Sequence, residues 1–335
     1  MGLTRCLCFL SVNFEVDYNL VIRNTGSRYV VLTSDGREVL CAAKGNFRIK
    51  GLRTTNPVAV GDHVEIRLGA TPGEAFITKV LPRANYIIRR ASNLSKESHI
   101  LAANIDQALL VVTLFHPATS TTFIDRFLAT AEAYGVHAVI AINKTDLIQS
   151  GTDEYEYLEA FEYLYRSIGY EVVDISARTG DGIEKLRSIL SGKITLLSGN
   201  SGVGKTTLIN RLIPGLDLRT GHISDIHGTG MHTTTFSEMF PVPDDNGGGY
   251  LIDTPGVKGF GTIDMDPREV SHYFPEIFST GRECRFGDCT HTGEPGCAVA
   301  HAIEQSAIAQ SRYASYLSIL DDASSGVADK YRKPF

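Results

Sequence analysis

Several features are missing from this 335-residue chain, and each absence narrows the field. No uninterrupted apolar run reaches the roughly 18 residues that a membrane-spanning helix needs. Six cysteines in a chain of this length are too few for a disulfide scaffold. Residues Met1–Val16 carry Cys6, Cys8 and a short apolar stretch, without a small-residue cleavage site after a full apolar region, so they read as an extension rather than a secretory signal. There is no internal repeat and no low-complexity tract. A net charge of −6 argues against nucleic acid at first sight, but its distribution argues otherwise. Residues 1–105 hold 14 Lys+Arg against 8 Asp+Glu, whereas the remainder holds 18 against 30. A basic N-terminal segment on an acidic body is the asymmetry expected where one domain meets a polyanion.

What is present falls into three stretches. From Leu20 to about Arg90 the pattern is of short β-rich segments: Leu20–Arg23, Ser27–Thr33, Glu38–Cys41, His63–Leu68 and Ala75–Val80. Turn signals separate them, among them Asn24-Thr25-Gly26, Asp35-Gly36, Gly61-Asp62 and Pro72-Gly73. Such strands suit a small barrel of the OB type, and an SH3-like barrel would leave much the same pattern. From Ile105 the period changes. Ala108–Leu114 is a continuous apolar run, as in a strand buried on both faces. Helical stretches at Phe123–Tyr134, Asp153–Ser167, Ile183–Leu190 and Thr206–Leu212 then alternate with strands at His137–Ile142, Glu171–Ile175 and Ile194–Leu197. That alternation predicts a parallel, doubly wound sheet. It stops after Gly249–Ile252. From about Ile263 a helical stretch, a Cys/His loop and one long helix from about Ala298 to Leu320 are expected, with a disordered tail from Ser324. The expected division is therefore an extension at 1–17, the barrel at 18–90, the α/β domain at 91–262 and a helical domain with a flexible tail at 263–335.

The motif richest in chemistry is Gly199-Asn200-Ser201-Gly202-Val203-Gly204-Lys205-Thr206, which matches G-x-x-x-x-G-K-[ST], follows a strand and opens a helix. Glycines let the backbone curl so that successive N–H groups face phosphate oxygens, and the helix N-terminus adds its positive dipole end. Lys205 is expected to reach the β- and γ-phosphates, the Thr206 hydroxyl to ligate Mg²⁺, and Thr207 to complete the nucleotide-binding run. Asn143-Lys144-Thr145-Asp146 lies just past the strand His137–Ile142. The Asp146 carboxylate can accept from guanine N1–H and N2–H₂ together, a donor pair that adenine lacks. Asn143 and the Lys144 stem would brace the loop and cover the base. Ser176-Ala177 follows the next strand, where a short loop can bring a backbone N–H to guanine O6. Asp253-Thr254-Pro255-Gly256 follows another apolar strand end; Asp253 would hold Mg²⁺ and the Gly256 N–H would meet the γ-phosphate, although an ordinary Pro-Gly turn reads the same way. The loop Gly221–Thr235 ends in Met231-His232-Thr233-Thr234-Thr235, any one of whose three threonines could complete the Mg²⁺ shell; Thr234 is taken as the candidate.

These motifs run in a permuted order. The base-recognition loops come first, then the phosphate loop, then the threonine loop and Asp-Thr-Pro-Gly. A circular permutation of this kind needs only that the original termini lie close enough for a short linker, here about Leu190–Lys193. The cut falls just after Gly256, so that switch is tied covalently to the next unit of the chain. That unit carries Cys284-x4-Cys289-x-His291-x5-Cys297: three thiolates and one imidazole, a donor set for tetrahedral Zn²⁺. Cys6, Cys8 and Cys41 read as ordinary thiols. Position 257, where many GTPases keep a water-orienting Gln, is Val257, which cannot hold a water for in-line attack. His232 is the in-chain candidate to do so, with a plain solvated loop histidine as the rival reading.

Taken together, an OB-like barrel, Asn-Lys-Thr-Asp before Gly-Asn-Ser-Gly-Val-Gly-Lys-Thr-Thr before Asp-Thr-Pro-Gly, and the C-x4-C-x-H-x5-C cluster resemble the ribosome small-subunit-dependent GTPase A family over about residues 18–320. The resemblance implies an α/β circularly permuted P-loop GTPase domain, preceded by a small all-β OB-like barrel and followed by a mainly helical zinc-binding domain. It implies a GTPase that binds the small ribosomal subunit and its rRNA, assists late maturation and is stimulated by the subunit. It also implies Mg²⁺ with GTP, one structural zinc on Cys284, Cys289, His291 and Cys297, and a cytoplasmic protein, read here as a monomer without membrane attachment. His232 matches the His of the family's G-x-G-x-H-T-T-T stretch. Two other readings stay open: a zinc-dependent RNA-binding chaperone whose nucleotide domain only regulates affinity, and a GTPase serving a non-ribosomal RNA.

Overall fold

The computed structural model describes residues 19–26, 28–43, 57–71, 73–90, 98–216, 218, 237–243, 248–253 and 265–331. His232, Thr233–Thr235, Thr254–Val257, Cys6 and Cys8 lie outside them.

Five strands build the N-terminal barrel: β1 (Asn19–Asn24), β2 (Tyr29–Leu32), β3 (Glu38–Ala43), β4 (His63–Leu68) and β5 (Ala75–Val80). Their order is β1-β2-β3-β5-β4, β4 closes back on β1, and β3 pairs with β5 in parallel. That closure resolves the barrel as OB-like. Its core is Val21, Tyr29, Val31, Cys41, Val58, Val64, Ala75 and Ile77. Cys41 sits wholly inside it, where burial pushes its thiol up and leaves it inert.

A hairpin not foreseen from the sequence follows, β6 (Tyr86–Arg90) with β7 (Ser98–Ala103). It spans the expected boundary at residue 90 and fastens barrel to nucleotide domain. The Ala103 N–H donates to Val60 O (2.9 Å) and Asn104 Nδ2 to Gly61 O (2.9 Å). Gly61 has φ +90°, and a Cβ there would strike the Ala103 carbonyl, so this close approach requires glycine.

The nucleotide domain runs β8 (Gln107–Val112), α1 (Thr121–Tyr134), β9 (His137–Ile142), α2 (Asp153–Ile168), β10 (Glu171–Asp174), α3 (Ile183–Leu190), β11 (Ile194–Ser198), α4 (Lys205–Leu212), β12 (Glu238–Val242) and β13 (Gly249–Asp253). The helices begin and end where local chemistry dictates. Ser120 and Thr152 cap α1 and α2 by accepting from Phe123 N and Tyr155 N, and both helices end on a left-handed glycine, Gly135 and Gly169. The strand order is β10-β9-β8-β11-β13-β12, parallel from β10 to β13. β8 is buried on both faces, as its unbroken apolar run requires. Its Ala108, Leu110 and Val112 meet Phe127 of α1 and Phe161 of α2, while Leu109 and Val111 meet Leu186 of α3 and Leu208 of α4. Each of the larger of these side chains, the valines, leucines and phenylalanines, contributes on the order of 1.5–3 kcal/mol when fully buried.

One expectation about this sheet needs correction: it is not wholly parallel, because β12 runs antiparallel to β13. β12 also pairs with β1 at Arg23↔Glu238, joining barrel and nucleotide domain in one eleven-stranded sheet.

β11, which leads into the phosphate loop, lies centrally between β8 from earlier in the chain and β13 from later. The permutation linker is held by a small polar network. Lys193 Nζ donates to Gln107 Oε1 (3.0 Å), and Gln107 Nε2 donates to Ile189 O and Thr195 Oγ1 (3.0 Å each). The Ile194 N–H donates to Asp106 Oδ2 (2.7 Å).

The C-terminal unit contains α5 (Pro275–Gly281), α6 (Ala298–Glu304) and α7 (Gln310–Tyr331). The single helix expected from Ala298 to Leu320 is thus two, broken where Ser306 takes a left-handed φ of 59°. The tail expected to be disordered from Ser324 is helical to Tyr331. α7 packs on α1 around a buried ionic group. Arg312, 1% exposed, donates from Nη1 to Asp125 Oδ1 (2.8 Å) and from Nε and Nη2 to the two oxygens of Glu276 (2.6 and 3.0 Å). The Tyr165 hydroxyl also donates to Asp125 Oδ1 (2.8 Å), and the guanidinium lies 4.6 Å from the Phe274 ring centroid. One side chain thereby ties α1, α5 and α7 together.

Candidate functional site

The fold places every described nucleotide motif at the same edge of the sheet, the carboxyl ends of its parallel strands, where open α/β sheets bind ligands. The phosphate loop 199–204 leaves β11. Gly199, Gly202 and Gly204 have φ of 146°, 83° and 95°, left-handed values that L side chains rarely adopt. A Cβ at Gly199 would meet the Val111 carbonyl, and one at Gly204 the Asn143 amide, so the loop lies flat on both neighbours. Val203 is buried beneath it, whereas Asn200, Ser201, Thr206 and Thr207 are half-buried or exposed. Lys205 folds over the loop, donating to Gly199 O (2.6 Å) and Asn200 O (2.8 Å). Burial lowers its pKa, and the nearby Asp253 carboxylate works against that shift. Asp253 ends β13 opposite Leu197 of β11, next to the root of the phosphate loop.

Asn143 joins the loops. It is 4% exposed, its Nδ2 donates to Val203 O in the phosphate loop (2.7 Å), and its Oδ1 accepts from the Ala177 N–H (2.9 Å). One amide therefore sets the phosphate loop, the Asn-Lys-Thr-Asp loop and the Ser-Ala loop against one another. Lys144 adopts φ 67°, and its Nζ donates to His116 O (2.7 Å), laying its stem along the loop. Thr145 Oγ1 donates to Ile175 O (3.0 Å). The Asp146 carboxylate accepts from Ser176 Oγ on Oδ1 (2.6 Å) and from Arg178 Nη2 on Oδ2 (2.5 Å). The Ser176 hydroxyl and then the Arg178 guanidinium hold its carboxyl below the usual carboxylate range, so it is an anionic acceptor at neutral pH.

The second candidate site is the Cys/His cluster. One ligand atom from each of Cys284, Cys289, His291 and Cys297 lies within 4.8 Å of all the others. Cys284 Sγ and Cys297 Sγ are 4.0 Å apart, and they stand 3.6 and 3.5 Å from His291 Nδ1. Bond lengths of about 2.3 Å for Zn–S and about 2.0 Å for Zn–N give tetrahedral edges of about 3.8 Å between sulfurs and about 3.5 Å from sulfur to nitrogen. The four residues fit such an ion. Backbone N–H groups of Ala298 and Ala300 point at Cys284 Sγ (3.3 Å) and Cys297 Sγ (3.4 Å), which favours thiolates. Behind the loop, the Tyr313 and Tyr316 hydroxyls of α7 donate to His291 O and Thr290 O (2.7 Å each), fixing the left-handed His291. Sequence reading singled out the four cluster residues but not these tyrosines, whose partners are 22 and 26 residues away. It also missed the bridging by Asn143, for which the motif gave only a bracing role.

Comparison with known proteins agrees with this architecture. The model of the RsgA GTPase family matches residues 80–263, and that of the RsgA N-terminal domain matches residues 20–77. The small ribosomal subunit biogenesis GTPase RsgA of Bacteroides fragilis is 59% identical over 316 residues, covering 94% of this chain and 99% of that protein. Its namesake from Porphyromonas gingivalis is 58% identical over 317 residues, with the same coverage. Among solved structures, YjeQ from Thermotoga maritima superposes with a TM-score of 0.72 at 36% identity, covering 91% of this chain and 97% of that one. YloQ, described as a circularly permuted GTPase, superposes at 0.69 and 28% identity, covering 95% and 96%.

Proposed function

We propose, on the premise that this chain belongs to the RsgA GTPase family, that it hydrolyses GTP in the service of small ribosomal subunit biogenesis. In this reading it binds the maturing subunit and its rRNA in the GTP state and leaves on hydrolysis. The observation that carries the nucleotide assignment is Asn143, which draws the guanine and phosphate loops of a permuted chain into one site.

Within that reading Asp146 takes guanine N1–H and N2–H₂, and the Ser176–Ala177 loop faces O6. Gly199–Thr207 cradle the phosphates, with Lys205 on the β- and γ-oxygens. The Thr206 hydroxyl and Asp253 would hold Mg²⁺ together with Thr234, and Gly256 would donate to the γ-phosphate. Such a magnesium ion neutralises charge on the phosphates. The adjacency of Asp253 and the phosphate-loop root supports this, and Thr234 and Gly256 lie outside the described residues. His232 is assigned to orienting the attacking water in place of the Gln that Val257 replaces. Zinc on Cys284, Cys289, His291 and Cys297 has a structural role, locking the loop between α5 and α6. The barrel's own hydrophobic cluster supports the proposed unit at about residues 18–90, with the β6–β7 hairpin straddling its end, and the cluster of the proposed unit at 263–335 also takes in Ala129 of α1 from the unit at 91–262. No helix among the described residues is long and apolar enough to cross a membrane, and the working assignment is a cytoplasmic monomer.

GTP turnover of the purified chain, alone and with small or large ribosomal subunits, tests the proposal. Selective stimulation by small subunits is expected. Turnover unmoved by either subunit would leave the GTPase standing and remove the subunit as its activator. His232→Ala is expected to keep GTP affinity and lose most of the stimulated turnover; unchanged stimulation would take His232 out of the mechanism.

A further inference from the structure

The base-recognition loop is held from a second side by a residue outside every nucleotide motif. Arg211 lies in the last turn of α4, the helix that begins at the phosphate-loop lysine. Its Nε donates to Ala177 O (3.3 Å) and its Nη2 to Arg178 O (2.6 Å). One planar guanidinium thus spans two consecutive carbonyls and fixes the peptide plane between them, a fork that a lysine ammonium cannot reproduce. From the opposite side the Ala177 N–H is bound by Asn143. The same short loop supplies both partners of Asp146, Ser176 Oγ and Arg178 Nη2. Arg211 is anchored in turn, because its own carbonyl accepts from Arg187 Nη2 (3.0 Å) and Arg187 Nη1 donates to Pro243 O at the end of β12 (3.0 Å).

We propose that Arg211 is a positioning residue for guanine selection, tying the far end of the phosphate-loop helix to the loop that aims the Asp146 carboxylate. The inference rests on the reading that Asp146 receives the guanine N1–H and N2–H₂. Its consequence is that the two ends of α4 serve the two ends of one nucleotide: the N-terminus faces the phosphates, and the C-terminus sets the base loop. Removing the fork leaves the phosphate contacts intact and lets the Ser176–Arg178 segment, and Asp146 with it, lose its fixed orientation.

The test uses the full chain and two nucleotides that differ only at the group Asp146 selects, GDP and IDP; hypoxanthine lacks the 2-amino donor. Loss of two solvent-accessible hydrogen bonds in Arg211→Ala is expected to weaken GDP roughly three- to tenfold. IDP should weaken less, so the preference for GDP over IDP shrinks, while kcat at saturating GTP stays near that of the parent. Arg211→Lys, able to reach one carbonyl, should fall between. Asp146→Asn is measured alongside. A collapsed preference in Asp146→Asn beside an unchanged one in Arg211→Ala, with GDP and IDP weakened equally, would overturn the positioning role alone. An intact preference in Asp146→Asn would overturn the guanine assignment itself, and the role of Arg211 with it.

Discussion

Replacing Arg312 with methionine should undock the C-terminal helix while the nucleotide site survives. Methionine fills comparable space without charge, so the change isolates the ionic group. Asp125 is fully buried, and after the substitution it keeps only the Tyr165 hydroxyl as partner. Glu276 is better placed, since 14% of its side chain is exposed and can turn to water. Breaking a buried pair by removing one member costs about 3–5 kcal/mol, chiefly because a charge is left uncompensated. That is a large share of the roughly 5–15 kcal/mol of a whole domain. Hydrogen exchange is the assay, because a chain with several units need not unfold in one step. Amides of α7 should exchange at least a hundredfold faster, and those of α4 at close to the parent rate. Protection of α7 altered by less than about fivefold, some 1 kcal/mol, would refute the reasoning. The double variant Asp125→Asn, Arg312→Met should regain at least half the loss, because the orphaned charge is gone and an acceptor for Tyr165 remains. A double variant as unstable as the single would place the cost in lost hydrogen bonds instead.

Asn143→Ala strands the buried Val203 carbonyl and Ala177 N–H, each at about 1–3 kcal/mol, and should weaken GDP at least tenfold by equilibrium titration; weakening below threefold would deny it the bridging role. Cys297→Ser, or a strong chelator, should remove bound zinc measured by elemental analysis and expose the loop around His291 to proteolysis; an unchanged digestion pattern would show that the ion does not hold the loop. Burial and the neighbouring Glu162 raise Asp174 to about 7. A carboxyl raised above its unfolded value makes stability fall as pH rises from about 4 through 7. His63, its pKa lowered by burial, acts in the opposite sense, so the variant is the test: Asp174→Asn should make the change of denaturation midpoint with pH more positive than in the parent over that window, and an equal slope would deny Asp174 its share.

What could be read in advance was what local chemistry writes. The run Ala108–Leu114 and the strand–helix alternation after it marked the doubly wound domain almost to the residue. The phosphate loop, Asn-Lys-Thr-Asp and the Cys/His cluster were legible because each is a local spacing in the sequence. β12 was not, since Pro241 within Glu238–Val242 argues against a strand. The break between α6 and α7 carries no Gly or Pro, only Ser306 in a left-handed turn. Arg312, Arg211 and the bridging by Asn143 escaped because their partners lie 187, 34 and 60 residues away, at distances where no spacing rule operates.

The central place of β11 has a consequence for how the chain comes into being. During synthesis β8, β9 and β10 are the first strands of the nucleotide domain to emerge, with α1 and α2 available to cover one face. The strands that carry Asp146 and Ser176 are in place before the one that leads to Lys205, while Val203 and Arg211, whose contacts fix their loops, have yet to be made. β11 must then enter beside β8, leaving its other edge open until β13 arrives to close it. An exposed strand edge invites mispairing, so the interval between residues 198 and 249 is the vulnerable stage of biosynthesis. The nascent chain acquires the strands that bear its base-recognition loops first, and those loops gain their fixed positions only when the phosphate-loop segment arrives.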